Sequence, residues 1–355
     1  KNKFLGKDVN ITLDKLEFGN IENDPRINSV SGFGDEFNTY LEKGVFTSCK
    51  KNDKCPPWKI RSDKIHHDKI KKQINYKNAW LEIYDYPVAY FPKFFHPDPS
   101  VIRQSGFLKP GLGSSKNLGN SIYAPYFYVI SDDKDLTFKP RLFTNNKIVL
   151  QNEYRQKTKN SWTVADFSFT KGHDSSPHDK NDTRSHLFTK TLVDIELEKF
   201  LSSMLKIDFQ KSSNDNYLKL FNLESPLISQ NNKVLQSSVE LDLVHEDYDL
   251  TASFESYETQ SGTNSDRYQY VLPSYYFSKN FDFKNIDGSF NFSSSGNNTL
   301  HTTNITETTL FNNLNFTGTE FFFNNKIKNN FEISLKNING VGKNSPQYST
   351  KPRSD

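Results

Sequence analysis

Residues 87–115, PVAYFPKFFHPDPSVIRQSGFLKPGLGSS, mark the passage from one kind of β-architecture to another. Pro87, Pro92, Pro97, Pro99 and Pro110 all fall within them. Proline fixes φ and removes a backbone donor, so this run is neither helix nor central sheet. It reads as a rigid, extended crossing between two modules. His96, Pro97, Asp98 and Pro99 look like a site at first sight, but the same spacing makes a stiff turn that aims the chain at the second module.

Working outward, residues 1–100 carry aromatic and β-branched residues in short pieces, at Val9–Leu13, Gly44–Thr47, Trp58–Ile65, Gln73–Tyr76 and Trp80–Phe91. Turns are expected at Gly19-Asn20, Asn23-Asp24-Pro25 and Lys50–Pro57. No 3.6-residue period lasts three turns, so the module is an antiparallel sandwich or jelly roll. From Ser105 onward the residues alternate with a period of two. Leu136, Phe138 and Leu142 oppose Thr137, Lys139 and Arg141, and Val239, Leu241 and Leu243 oppose Glu240 and Asp242. A soluble sandwich alternates as well, and two features favour a membrane barrel. The segments match the roughly 9 to 11 residues a tilted strand needs to cross a bilayer. The connections are also polarised, with Lys171–Ser185 and Ser212–Leu235 long on one side and Ser131–Asp135 and Lys157–Asn160 short on the other. About a dozen such strands fit between Ser105 and Gly340.

Composition sets the outer bounds. A net charge of +3 with 25% charged residues, and no basic stripe, argues against a nucleic-acid partner. A mean hydropathy of −0.74 and the lack of a long apolar run exclude a transmembrane helix but leave a membrane barrel open. Phe 30 and Tyr 17 against Trp 3 and Met 1 is aromatic-rich usage. Lys1–Asn10 lacks a basic-then-apolar leader, so the chain is expected to start after processing or within a longer protein.

No GxSxG, HExxH or P-loop pattern is present, so no enzymatic activity and no catalytic residue is expected. Glu240, Asp242, Glu246 and Asp247 could suggest a hydrolase, yet Glu240 and Asp242 sit on the polar face of a strand that the alternation explains, which points to lining a wet lumen. His173, His178 and His186 with Asp174, Asp179 and Asp182 have no regular ligand spacing, and a solvated external loop explains them. Cys49 and Cys55 leave several readings open: a local disulfide, pairing with a cysteine elsewhere, free thiols, or zinc shared with His66 and His67, whose spacing matches no zinc motif closely. Neither a metal nor a cofactor is expected.

The junction resembles that of the LPS-assembly outer-membrane protein family (LptD, also called OstA). Residues 57–99, PWKIRSDKIHHDKIKKQINYKNAWLEIYDYPVAYFPKFFHPDP, resemble the family's periplasmic module, and residues 105–143 its opening barrel strands. LQNEYR, RSHLF and SDRYQYVLPSYYFS follow in the order expected along the barrel. The resemblance covers most of Phe46 to Lys279, and the chain is shorter than family barrels require, which reads as a fragment. It implies an all-β protein: a truncated periplasmic jelly roll at 1–100, then the first part of an antiparallel transmembrane barrel at 101–355, incomplete in this chain. It implies lipopolysaccharide as substrate, moving along the roll and released laterally into the outer leaflet. It also implies a plug lipoprotein in the lumen, a periplasmic bridge protein docked on the roll, and contact with outer-membrane lipids. The expected lipid groove is Val45, Trp58, Ile60, Ile74, Tyr76, Leu81, Ile83 and Val88, residues that an ordinary sandwich core would also explain. Pro110 and Pro125 fall in the first two barrel strands. Residue chemistry alone allows bulges that bend a barrel or a deliberately weak seam, and the resemblance implies the second, a lateral gate. Two other classes stay open: a general diffusion porin, and a soluble periplasmic carbohydrate-binding β-protein.

Overall fold

The computed structural model describes residues 3–13, 24–50, 57–98, 101, 103–115, 118–145, 147–170, 183–261, 267–283, 286–301, 304–323, 327–350 and 353–354. The chain divides into two units, Lys1–Gln104 and Ser105–Asp355. Both are built of antiparallel strands, and among the described residues the protein is all-β apart from one short helix.

The first unit is a six-stranded sheet in strict chain order: β1 (Phe4–Thr12), β2 (Arg26–Gly34), β3 (Asn38–Thr47), β4 (Trp58–Asp68), β5 (Gln73–Ile83) and β6 (Tyr86–Pro97). A crease crosses all six strands in register. Pairing lapses where Asp8 faces Val30, where Lys43 faces Val30 and Asp63, and where Asn78 faces Asp63 and Pro92, then resumes on the far side. On alternate strands the crease residue is left-handed, with φ of 53° at Asp8, 50° at Lys43 and 52° at Asn78. Aspartate and asparagine adopt that conformation more readily than other side chains. The crease is tied sideways, since Asn78 Nδ2 donates to Asp63 (2.9 Å) and Tyr90 Oη donates to Asn78 (3.0 Å).

The crease resets which residues point inward. β4 buries Ile60 and Ser62 before it and Ile65 and His67 after it, and β5 buries Ile74 and Tyr76, then Ala79. Both halves thus turn their apolar side to one core of Ile27, Leu41, Phe46, Ile60, Ile65, Ile74, Tyr76 and Ala79. Each fully buried isoleucine there is worth about 1.5–3 kcal/mol. Pro92 fits because it lies on the crease of β6, at the edge of the sheet, where the ladder makes no bond for its missing N–H.

Two expectations are corrected here. Residues 87–97 of the proline-rich segment belong to strand β6 and are not a crossing between modules. Trp80–Phe91 is two strands, not one, joined through Tyr84 and Asp85 at φ of 47° and 68°, both left-handed as a tight two-residue hairpin requires.

The second unit opens with two broken strands, β7 (Gly106–Phe107) with β8 (Gly111–Ser115), and β9 (Gly119–Tyr123) with β10 (Tyr126–Ser131). Continuous strands follow: β11 (Lys134–Phe143), β12 (Ile148–Lys157), β13 (Ser161–Thr170), β14 (Arg184–Asp194) and β15 (Ser202–Ser212). After helix α1 (Tyr217–Leu220) come β16 (Val234–Val244), β17 (Tyr248–Thr259), β18 (Tyr268–Asp282), β19 (Gly288–His301) and β20 (Ile305–Gly318). A small hairpin, β21 (Phe321–Phe323) and β22 (Ile327–Asn329), precedes β23 (Glu332–Lys343) and β24 (Arg353–Ser354). Apart from the small hairpin, all join one sheet in chain order, which among the described residues does not close on itself.

Alternation sorts this sheet into two faces. One carries Phe138, Leu142, Ile148, Leu150, Phe169, Leu187, Phe209 and Val239, all exposed. The other carries cross-strand ion pairs: Arg155 with Asp135 (2.8 Å), Lys139 with Glu153 (3.3 Å), and Lys206 with Glu240 (2.7 Å) and with Asp242. Glu240 and Asp242 therefore neutralise a lysine. Connections 171–183, 213–233 and 260–267 leave from one end of the sheet, as do the short 144–147 and 302–304. The shorter 132–133, 158–160, 195–201 and 245–247 leave from the other, where 319–331 is the long exception because it holds β21 and β22.

Candidate functional site

Three features stand out. The first is the interior of the creased sheet. Of the residues expected to line a lipid groove, Ile60, Ile74 and Tyr76 are in the core, with Trp58 and Leu81 packed against it. Ile83 pairs with Trp58 but is exposed at the strand end. Val45 falls on the opposite face between Gly44 and Phe46, because the crease at Lys43 shifts the alternation that would have grouped it with Leu41. Val88 is the extra residue of a bulge, where Leu81 faces Ala89 and Glu82 faces Pro87, and is 53% exposed. Of the residues expected to line a groove, Trp58, Ile60, Ile74, Tyr76 and Leu81 thus face the interior.

One end of this interior is polar. Tyr76 Oη lies 2.7 Å from His96 Nε2, and His96 Nδ1 lies 2.7 Å from the Pro97 carbonyl. A neutral imidazole satisfies both, donating from Nδ1 and accepting at Nε2. Burial holds the His96 imidazole below the ordinary histidine range, opposed in part by the Pro97 carbonyl and Asp98. His67, also buried, pairs with the Asp98 carboxylate. The chain from His96 to Asp98, at the end of β6, is thereby bolted to β4 and β5; Pro99 lies outside the described residues.

The outer side of the same strands holds a trough of about 660 Å³ that sequence reasoning missed. One wall is the in-register row Phe33, Tyr40, His66, Asn75 and Phe95, with Tyr40 stacked on His66 at 4.3 Å. The other is Glu42, Lys64, Lys77 and Lys93, also in register. Three lysines side by side repel one another, so the row favours an anionic occupant. The signal was present in the spacing of the lysines, but only the register places them together.

The second feature is the opening hairpin of the second unit. Pro110 lies in the gap between β7 and β8, and Pro125 in the gap between β9 and β10. The gaps lie side by side: Phe107 pairs with Tyr126 on one side, Gly111 with Tyr123 on the other. The Leu108 N–H to Pro125 carbonyl bond (2.8 Å) bridges the break. β11 runs unbroken past it, pairing Phe138 with Tyr126 and Arg141 with Tyr123, and carries Pro140 at the same level. β7 is the outermost strand of its sheet and β8 pairs with β9 alone.

The third feature is the connection 213–233, which folds onto the ion-paired face. Tyr217, Leu218, Phe221, Leu223 and Ile228 form a buried cluster with Leu118, Phe143, Val149, Phe188 and Leu235. The connection reaches the opening hairpin, where Ser115 Oγ donates to the Leu220 carbonyl (2.9 Å). The apolar spacing of YLKLFNL was the available signal. Below it, His186 is wholly buried in β14, 3.2 Å from Asp166 and 2.8 Å from Ser168 Oγ, which is itself 2.8 Å from Tyr217 Oη. His186 is therefore not part of a solvated loop, since alternation along β14 turns it inward beside Phe188. His173, His178, Asp174, Asp179 and Asp182 lie outside the described residues. The Ser168–His186–Asp166 array has the composition of a hydrolytic triad. Its serine is buried on a tyrosine, and what the array does here is hold α1 against the wall.

Cys49 is a free, half-buried thiol, its Sγ 3.6 Å from the Trp58 carbonyl, and Cys55 lies outside the described residues. Among the described residues no group of three His, Cys, Asp or Glu is arranged to hold a metal ion.

No family model matches the chain. It is 27% identical over 241 residues to the LPS-assembly protein LptD of Legionella pneumophila strain Paris, covering 62% of this chain and 27% of that protein. The LPS-assembly protein LptD of Pseudoalteromonas translucida is 29% identical over 184 residues, covering 52% of this chain and 23% of its own. That of Polaromonas sp. is 29% identical over 168 residues, covering 43% and 20%. The chain spans about a quarter of the length of the curated relatives it matches.

Proposed function

We propose, for a chain that belongs to the LPS-assembly protein LptD family, that it supplies the receiving module and the first strands of a lipopolysaccharide export path in the Gram-negative outer membrane. In this reading the first unit is the periplasmic jelly roll, and the second is the first part of a barrel completed by further strands. Acyl chains require a continuous apolar lining and sugars a polar one, and the two units divide those properties between them. Trp58, Ile60, Ile74, Tyr76 and Leu81 line the apolar path, and the lysine row of the outer trough suits the phosphates of an amphiphile. A bridge protein would dock on the roll and a plug lipoprotein would fill the lumen. The folded connection 213–233 covers part of the polar face, which speaks against a freely diffusing pore.

The observation that carries the proposal is the hairpin cut level at Pro110 and Pro125. Within a bilayer every unmade backbone bond costs several kcal/mol, so a break at the seam of a closed barrel marks where pairing is meant to be weak. Lipid leaves there sideways. The test is the double variant Pro110→Ala with Pro125→Ala in the full-length protein. Restored pairing should tighten the seam, slow delivery of lipopolysaccharide to the surface and raise outer-membrane permeability, with assembly unchanged by heat-modifiable gel migration. Normal surface delivery from an assembled double variant would refute the gate.

A further inference from the structure

Beside α1 is a polar cavity of about 330 Å³ lined by Arg184, Arg267, Ser213, Asn214, Asp215 and Asn216 together with Leu220. It belongs to neither the seam nor the roll, and its charges do not balance. Arg267 is matched in charge, although its Nε–H lacks an acceptor among the described residues: it pairs with Asp215 and lies 3.4 Å from Glu258, whose other oxygen takes Lys211 at 2.8 Å. Lys211, Glu258, Arg267 and Asp215 thus form a chain of alternating sign that is neutral in sum. Arg184 is left over. It is 7% exposed, forms no ion pair with a described residue, and has a buried Nε–H without an acceptor.

A guanidinium does not lose its proton, and one buried without a counterion is costly. The neighbouring polar groups are donors in waiting. Ser213 Oγ accepts from the Ser185 N–H (2.9 Å) and donates to Asn214 Oδ1 (2.8 Å), which leaves the Asn214 amide N–H groups free. The Asn216 side chain makes no capping bond to α1. An arginine fork with no partner among the described residues and two carboxamides around it is suited to a tetrahedral oxyanion, since arginine binds phosphate through two parallel N–H bonds. The volume is at the small end of the range for ligand sites, enough for one phosphate with the sugar that bears it.

We propose that Arg184, Asn214 and Asn216 form a binding site for a phosphate monoester at the end of the sheet from which the long connections leave. Occupancy supplies the missing counterion of Arg184 and stabilises the folded connection 213–233. The ligand is either the phosphorylated headgroup of the exported lipid, an assignment that rests on the function proposed above, or free phosphate.

The test uses the full-length protein with its barrel partner in detergent, titrated calorimetrically with inorganic phosphate. Saturable binding is expected, weakened about tenfold or more by Arg184→Gln and less by Arg184→Lys, which keeps the charge but loses the fork. Asn216→Asp, which fills the cavity with an anion and leaves both arginines in place, should abolish binding even if Arg184→Gln fails to assemble. Absence of saturable binding, or equal affinity in wild type and Asn216→Asp, overturns the site. A photo-crosslinker at Leu220 in cells then separates the sources. Crosslinks to lipopolysaccharide that Asn216→Asp removes identify the headgroup, and phosphate binding without them identifies free phosphate. Because the proline variants act at the seam, failure of this site leaves their result intact, and failure of the gate leaves phosphate binding intact.

Discussion

His96 shows how one side chain couples the first unit to acidity. An unperturbed histidine titrates near ~6.5. Burial holds His96 below that, so between its lowered value and ~6.5 the folded state binds fewer protons than the unfolded one. Stability from this group is therefore constant above ~6.5 and falls as the pH drops through that window. His96→Gln keeps a neutral side chain able to meet Tyr76 and should flatten this part of the profile. Urea unfolding of the first unit, followed by Trp58 and Trp80 fluorescence at pH 7.5 and about 5.5, checks it. A wild type and variant that lose stability in parallel on acidification would exclude His96 as the source. Sequence gave no hint of this role: the histidine was read as part of a stiff turn, and its partner Tyr76 lies on another strand.

At the scale of the strand, the facing assignment of the second unit makes a sharp prediction. Leu241 pairs with Ala252 and Asp242 with Thr251, one step apart on opposite faces. Leu241→Arg would place a charge on the apolar face and should cost roughly 2–4 kcal/mol near the midplane. Thr251→Arg would put its guanidinium beside Asp242 and should be tolerated. Heat-modifiable migration of the two full-length variants measures the difference, and equal assembly would contradict the assignment. This alternation was legible because nothing interrupts β11 to β17 beyond one bulge, so every second residue reports the same face. The first unit was harder to read. The crease divides strands of ordinary length into pieces, and β5 with part of β6 was seen as Gln73–Tyr76 and Trp80–Phe91 for that reason. Val45 was assigned to the wrong face by the same offset. Strand β2 was missed altogether, its inward positions being taken by Ser29, Gly32 and Gly34 beside Ile27.

For the second unit as a whole, the notable event is that a long connection becomes core. Phe221 is fully buried between Tyr217 and Phe143. Phe221→Ala should cost about 3–5 kcal/mol, most of it borne locally by the connection and not by the strands. Limited trypsin digestion should then cleave after Lys219 or Lys233 much faster than in the wild type, while the full-length protein, under the proposed barrel reading, keeps its heat-modifiable mobility. Unchanged cleavage would mean that the cluster does not hold the connection in place. Its apolar residues were visible in the sequence, but their destination was not, because it depends on inward residues from four separate strands.

The crease has a consequence for any polypeptide that adds itself to the first unit. A strand joining β1 or β6 must match the bend as well as the backbone spacing, because a one-residue offset would throw every side chain beyond the bend onto the wrong face. Sliding registers, the usual hazard of an open sheet edge, are thereby penalised twice, once on each side of the fold line. The row from Asp8 to Pro92 acts as a vernier: it admits a neighbouring strand at one setting and rejects those on either side.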